Sequence, residues 1–306
     1  MKQYKADLII LMITLFWGSS YLFMKMGLDS VEPFNLIALR FGIAFIISAI
    51  VFHKRLRTLD RQTVKHSALL GLFLFGVFAS IMIGLKSTST SNAGFLMSLT
   101  VIFVPVISAI FLKNKPDKRL VCGVVLALTG IGFLTLKSSS ALHVGDLWCI
   151  LAALLFAIHI IWTGRSTKVA DSLNLGIIQL GFAGVFGLIF SIIFETPHLP
   201  VTLPGWTSVL VLSIVCSAIG FILQAIAQQY TTPTHTGLIF ALEPVVAALI
   251  GIIYMHETLS LQGYIGAGLV LLGVTISELK WSWLPAFTRK KAAHPFTPDL
   301  NLPSEL

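Results

Sequence analysis

The sequence predicts an all-α integral membrane protein of ten transmembrane helices, arranged as two inverted five-helix repeats. Three observations carry this prediction: an apolar composition, a regular series of span-length apolar runs, and an internal echo. The chain is 56% hydrophobic and only 11% charged over 306 residues, with a mean hydropathy of +0.90. Soluble domains carry roughly 25% charged residues, so this composition belongs to a bilayer. Residues Gly94 to Lys137 recur without a gap 143 positions later, as Gly237 to Lys280, with identical pairs that include Gly94/Gly237, Leu99/Leu242, Gly123/Gly266 and Gly130/Gly273. A repeat of this length bears on the whole fold.

Apolar runs close to the roughly 20 residues needed to cross the hydrocarbon core fall at roughly 6–26, 33–53, 67–85, 91–112, 119–137, 144–163, 174–194, 205–229, 232–255 and 261–279. They are rich in Leu, Ile and Ala and lack two-residue alternation, which argues for helices and against a β-barrel. The first run follows Lys2 and Lys5 as a signal peptide would, but it continues through Trp17 without a small-residue cleavage pattern and is expected to be retained. Ten runs give two halves, residues 1–140 and 141–280, and residues 281–306 form a polar tail expected to be a disordered cytoplasmic extension. Trp281 and Trp283 are suited to anchor its start at the interface.

Five spans per half is an odd number, so the second copy starts on the opposite side from the first and is inverted, an arrangement common among secondary transporters. The first spans also align, with Asp7-Leu8 matching Asp146-Leu147 at an offset of 139 and Trp17 opposite Phe156. The net charge of +8 suggests no nucleic acid, because the cations are sorted by loop: 17 of the 21 Lys and Arg lie at one set of alternating span ends, including Lys54, Arg55, Arg57, Arg61 and Lys65. The positive-inside rule then places both termini in the cytoplasm. Cys122, Cys149 and Cys216 all fall within spans, unclustered, and read as packing residues; no disulfide, metal site or cofactor is expected.

Several strings carry a resemblance to a known family. WGSSYLFMK (Trp17 to Lys25), LRF (Leu39 to Phe41), FVPVISAIFL (Phe103 to Leu112), LEPVVAALIG (Leu242 to Gly251) followed by Glu257, and the spaced glycines Gly123/Gly130 and Gly266/Gly273 together resemble the EamA family of the drug/metabolite transporter superfamily, over about residues 6 to 280. The resemblance implies a ten-helix secondary carrier of the bacterial inner membrane, often exporting amino acids or other small metabolites, with a central cavity between its halves. The two halves part at one point. The ninth span holds Glu243-Pro244 where the fourth has Thr100-Val101 and places Pro105 one turn later.

Charges deep in a bilayer are the strongest functional signal in such a sequence, since each costs about 2.5–3.5 kcal/mol at a helix centre. Glu243, about 16 Å from either end of its span at 1.5 Å per residue, is a candidate proton- or substrate-coupling acid. It is equally a static partner for Arg40 or part of a backbone break beside Pro244. Arg40 lies about 10 Å from its helix start by the same rise and suits a substrate carboxylate, a helix-to-helix clamp or an outward-reaching cation. Lys25 reads as a snorkelling lysine. Trp17 and Tyr21, at i and i+4, share a face that lines a cavity or packs against helices, with Gly18 allowing close approach.

Gln179, Gln224 and Gln228 supply hydrogen-bonding groups that either meet substrate or bridge helices, and Asn92 joins them as a candidate in the polar junction Ser87 to Asn92. That junction matches Thr231 to Thr236 at the repeat offset, and the two are expected on opposite faces, as helix caps or as hinges. His159, with no second ligand at helical spacing, reads as a packed histidine. The expected partners are a small-molecule substrate, lipid and protons as coupling ion. The alternative is an intramembrane enzyme acting on lipid or metabolite. It is weakened by the absence of a phosphate loop, of the second histidine that H-E-x-x-H would need after His256-Glu257, and of a G-x-S-x-G nucleophile.

Overall fold

The computed structural model describes residues 1–57, 59–88, 90–112, 118–135, 144–246, 249 and 261–278, and every regular element among them is helical. Six helices are long and apolar enough to span a membrane. They are α1 (Gln3–Leu28), α2 (Pro33–Val51), α4 (Arg61–Leu85), α8 (Val144–Ser166), α9 (Ser172–Phe194) and the run Leu203–Gln228, which comprises α10 (Leu203–Val211), a π-helical stretch (Leu212–Ile219) and α11 (Gly220–Gln228). The short α3 (His53–Leu56) precedes α4, whose start at Arg61 is six residues earlier than the apolar run at 67 suggests. Asp60 explains that start: it caps α4 by accepting from the Thr63 amide at 3.3 Å.

The remaining runs are shorter or broken. The fourth divides into α5 (Thr90–Met97) and α6 (Thr100–Leu112), while α7 (Lys118–Thr135) and α13 (Leu261–Glu278) have 18 residues each, about 27 Å at helical rise. The ninth begins as α12 (Pro233–Phe240), turns at Ala241-Leu242 and resumes at Glu243. The two breaks, Ser98-Leu99 and Ala241-Leu242, occupy positions related by the 143-residue offset. At the first, Leu99 and Val101 bond three residues back instead of four, and Thr100 Oγ1 donates to the Met97 carbonyl that the Val101 amide leaves free. At the second, Ala241 and Leu242 bond three residues back instead of four, and Pro244 has no N–H to offer.

The bundle has two ends. The Glu32 end gathers the α1–α2 turn, Lys86, Thr88 and residues 195–205: Lys86 pairs with Glu32 at 2.9 Å, Ser30 meets Thr202 at 3.2 Å, and Glu195 accepts from the amides of Phe34 and Asn35 at 2.9 and 2.8 Å. That last contact satisfies two free donors at the start of α2. The Asp60 end gathers residues 53–66, 166–174 and 228–235, joined by His66 to Ser166 at 2.9 Å and Ser172 to Gln229 at 3.3 Å. Between the ends, α2 packs on α9, α4 on α8, and α7 on α13.

The spaced glycines of the fifth and tenth runs make the last of these seams. A Cβ on Gly130 would lie 2.5 Å from the Gly266 carbonyl oxygen, and one on Gly273 would lie 2.6 Å from that of Gly123, so Gly130 and Gly273 let the two backbones touch. Apolar side chains such as Ile46, Ile50, Leu188 and Ile192 remain exposed on the outside of the bundle, where lipid is the natural contact. Cys149 and Cys216 are buried as expected, whereas Cys122 is exposed on α7 and is not a packing residue within the described bundle. The expected tail, 281–306, lies outside the described residues.

Candidate functional site

Where α1, α2, α4, α8, α11 and the turn at Glu243 converge, a cavity of about 40 Å³ opens in the middle of the bundle, bordered by Trp17, Tyr21, Arg40, Phe78, Phe221 and Glu243 among others. Four residues singled out from sequence therefore share one site: Trp17, Tyr21, Arg40 and Glu243.

Each is held by identifiable neighbours. Gly18 brings α1 against the turn at Glu243; a Cβ there would lie 3.1 Å from the Glu243 carbonyl oxygen and 2.7 Å from Val246 Cγ1. One residue away, the Trp17 indole donates to the Cys216 carbonyl at 2.8 Å. Gly220 makes room for it, since a Cβ on Gly220 would sit 2.7 Å from Trp17 Nε1. Trp17 is ringed by Phe156, Phe221 and Phe240 at centroid distances of 5.7, 4.9 and 4.9 Å. Tyr21 and Glu243 border the same cavity.

Arg40 is 1% exposed, so it does not reach out to water. Its Nε donates to Ser217 Oγ at 2.6 Å and its guanidinium carbon lies 4.2 Å from the Phe78 ring centroid. This cation–π contact and the hydroxyl offset part of the desolvation. Arg40 and Glu243 act on each other through space, without a direct ion pair. Nη1 of Arg40 has no partner among the described residues. A buried guanidinium with a free donor at a cavity wall is a ready hydrogen-bonding site for an anionic group.

The other sequence candidates lie elsewhere. Gln179 Oε1 meets His159 Nε2 at 2.9 Å, Gln228 donates to the Ile160 carbonyl at 3.1 Å, and Gln224 is fully buried on α11 between Phe221 and Gln228. None of the three glutamines lines the cavity. Asn92 belongs to α5, and its side chain lies outside the described residues. Lys25 is exposed, in keeping with a snorkelling lysine. Thr232 accepts from the His235 amide at 3.3 Å, so the second polar junction does cap a helix. Sequence reasoning missed Ser217 and Phe78, which hold Arg40. Ser217 reaches it from a π-helical stretch, a winding with no residue signature in LSIVCSAI. No metal-binding group of three or more His, Cys, Asp or Glu occurs among the described residues.

Six apolar helices around an internal site with a buried cation and an acid define a multi-pass membrane protein of the transporter class. The EamA-like transporter family model matches this chain twice, over residues 4–136 and 143–278, and the chain belongs to that family. It is similar to an uncharacterized transporter of Archaeoglobus fulgidus at 30% identity, covering 91% of this chain and 87% of that one. It is also similar to the uncharacterized transporter YoaV of Bacillus subtilis at 25% identity, covering 91% and 98%. A solved crystal structure of 22% identity shares the fold, with a TM-score of 0.77 over 90% of this chain and 98% of the other. The family and the names of these relatives point to a transporter and away from an enzyme.

Proposed function

We propose that this chain is a secondary transporter of ten membrane segments in two five-helix repeats, residues 1–140 and 141–280, the second inverted. It moves an amino acid or related small metabolite out across the bacterial inner membrane by alternating access, with both termini in the cytoplasm. The observation that carries this reading is the convergence of Arg40, Glu243, Tyr21 and Trp17 on one central cavity. A guanidinium, a carboxyl and aromatic rings within one small space suit a zwitterion with an apolar body. At about 40 Å³ the cavity admits a few waters and no metabolite, so loading requires the bundle to open.

Inversion is supported by two hydrogen bonds. Thr88 donates to Asp146 at 2.7 Å at the Glu32 end, and Thr231 donates to Asp7 at 2.8 Å at the Asp60 end. Thr88 and Thr231 are related by the 143-residue offset, and Asp7 and Asp146 by the 139-residue one. Each bond ties the polar junction of one half to the first helix of the other, at opposite ends of the bundle. The loop charge supports a cytoplasmic Asp60 end. A larger apolar groove of about 770 Å³, lined by Ala38, Ile46, Gly181 and Leu188, runs along the outside of α2 and α9 and suits lipid, not polar cargo.

The test is metabolite profiling of cells lacking and overproducing the protein, then flux of the hits in proteoliposomes with and without a proton gradient. Wild-type flux is expected to follow the gradient, and Glu243→Gln to abolish that dependence. Equal flux from both proteins under both conditions would remove proton coupling through Glu243. No flux of any hit would remove the transporter reading.

A further inference from the structure

The cavity beside Arg40 has a counterpart that is closed. The 139-residue offset relates Pro33, the first residue of α2, to Ser172, the first of α9; it also relates Ser20 to His159, Met24 to Thr163 and Arg40 to Gln179. The 143-residue offset relates Phe78 to Phe221 and Ile81 to Gln224. Ser20, Met24, Arg40, Phe78 and Ile81 all border the cavity. Phe221 borders the cavity itself, and the other counterparts lie behind it and Phe156: the His159 ring stacks on Phe156 at 6.0 Å and meets Phe221 edge-on at 6.1 Å. Gln224 follows Phe221 by three residues and precedes Gln228, which bonds Ile160, so it shares their face of α11 and is turned to α8. Thr163 stands one turn beyond His159.

These counterparts are buried and hydrogen-bond poorly. His159, Gln179 and Gln224 are 0% exposed. Yet His159 Nδ1, Thr163 Oγ1, Gln179 Nε2 and both side-chain polar atoms of Gln224 have no partner among the described residues. With Gln179 accepting through Oε1, the His159 Nε2 proton is spent and Nδ1 remains as a bare acceptor. Five orphaned polar atoms in one patch are unusual, since the large majority of buried polar groups find partners. A patch that hydrates and binds in another state accounts for all five together.

We infer that His159, Thr163, Gln179 and Gln224 form a second, cytoplasm-facing subsite that takes the polar end of a small zwitterionic metabolite through uncharged hydrogen bonds. The inference rests on the alternating-access reading above. The aromatic layer of Trp17, Phe156 and Phe221 stands between the two half-sites, and opening the Asp60 end exposes the second while the first closes. The first half-site offers a guanidinium and a carboxyl, the second only neutral donors and acceptors. Such a pair holds cargo tightly on the Arg40 side and loosely on the Gln179 side.

The experiment uses the full chain without its three native cysteines, in inside-out and right-side-out vesicles, with an impermeant sulfonate-bearing methanethiosulfonate as probe. Thr163→Cys and Gln224→Cys report the second half-site; their counterparts Met24→Cys and Ile81→Cys report the first. A bifunctional thiol cross-link between Ser30→Cys and Thr202→Cys ties the halves at the Glu32 end, and one between His66→Cys and Ser166→Cys ties them at the Asp60 end. With the Glu32 end tied, labelling at 163 and 224 from the cytoplasmic face is expected to rise about fivefold or more, the low end of coupling between two-state elements. With the Asp60 end tied it should fall, and labelling at 24 and 81 should change in the opposite sense. Hydrogen exchange over 156–166 in cross-linked protein with native Thr163 and Gln224 gives the same comparison without changing the subsite. If 24 and 81 respond to the ties while 163, 224 and the 156–166 amides do not, the subsite is wrong and alternating access stands. If no position responds, both are wrong.

Discussion

Two helix crossings at opposite ends of the bundle occupy related positions in the repeat yet are built differently. At the Glu32 end, α4 meets α8 through Gly84 and Gly145: a Cβ on Gly84 would lie 2.6 Å from Cys149 Sγ, and one on Gly145 would lie 2.8 Å from the Gly84 carbonyl oxygen and in collision with Ser87 Oγ. The related positions at the Asp60 end are Ala227 on α11 and Ala6 on α1, both buried. Glycine lets backbones touch, and alanine holds them a methyl apart. The consequence appears in the bonds beside each crossing. Asp146, which Thr88 reaches, is buried, while Asp7, which Thr231 reaches, is only half-buried. Further bonds tie both ends, Lys86 to Glu32 and Ser30 to Thr202 at one, His66 to Ser166 and Ser172 to Gln229 at the other, so the crossing and its clasp make the difference. The duplicated scaffold thus carries unequal clasps, and the Asp60 end is the one built to part more easily.

The sharpest way to break this comparison is to fill the glycine crossing. Gly145→Val should destabilise the protein by about 3 kcal/mol, the upper part of the range for overpacking, whereas Ala227→Gly should lose about 1 kcal/mol through helix propensity. Thermal or denaturant unfolding in detergent reads both. Equal losses would mean that the two crossings are equally tight. The α7–α13 seam is the symmetric control: Gly130→Ala and Gly273→Ala meet backbone at nearly the same distances, 2.5 and 2.6 Å, and should cost about 2 kcal/mol each. A clear difference between them would show that the seam is not reciprocal.

A smaller effect separates the two threonine clasps. Thr88→Val leaves a buried carboxylate short of a donor and should lose about 1.5–3 kcal/mol, the range for a hydrogen bond to a charged group. Thr231→Val, beside the more hydrated Asp7, should lose about 0.5–1.5 kcal/mol, the range for an ordinary bond. If Thr231→Val proved the more damaging, the order of the two ends would have to be reversed.

Much of this was legible from residue type alone. Apolar run length and small-residue spacing are properties of one helix at a time, so the six long spans and the paired glycines at 123, 130, 266 and 273 could be read directly. Arg40 and Glu243 stood out because ionisable groups are scarce in such runs, and the structure brings both to one cavity. The glutamines could not be placed from sequence, because an amide has the same composition signal whether it meets cargo or a neighbouring helix; only the structure shows Gln179 joined to His159 and Gln228 to Ile160, away from the Arg40 cavity. Ser217 was invisible because its role depends on a π-helical winding that no residue pattern marks, and on the contacts that stretch makes with Trp17 and Arg40. The breaks before Thr100 and Glu243 were half-visible: the prolines were plain, but the three-back bonds of Leu99 and Val101 and the Thr100 hydroxyl on the Met97 carbonyl were not.

The smallest expected effect distinguishes two caps within the Asp60 end. Asp60 closes α4 and Thr232 closes α12. Hydrogen bonds from Thr63, its side chain foremost, hold the exposed Asp60 carboxyl below its ordinary value. A carboxyl depressed in the folded state contributes stability that is fully present above its unfolded value and is lost as pH falls through the folded one. The first turn of α4 should therefore fray under acid while the first turn of α12, capped by a hydroxyl that does not titrate, keeps its protection. Hydrogen exchange at residues 62–64 and 234–236 across an acid series, corrected for intrinsic rates, reads the difference, and Asp60→Asn should flatten the first profile without touching the second. If both turns frayed together in the wild type, the loss would belong to the whole Asp60 end opening and not to the Asp60 cap.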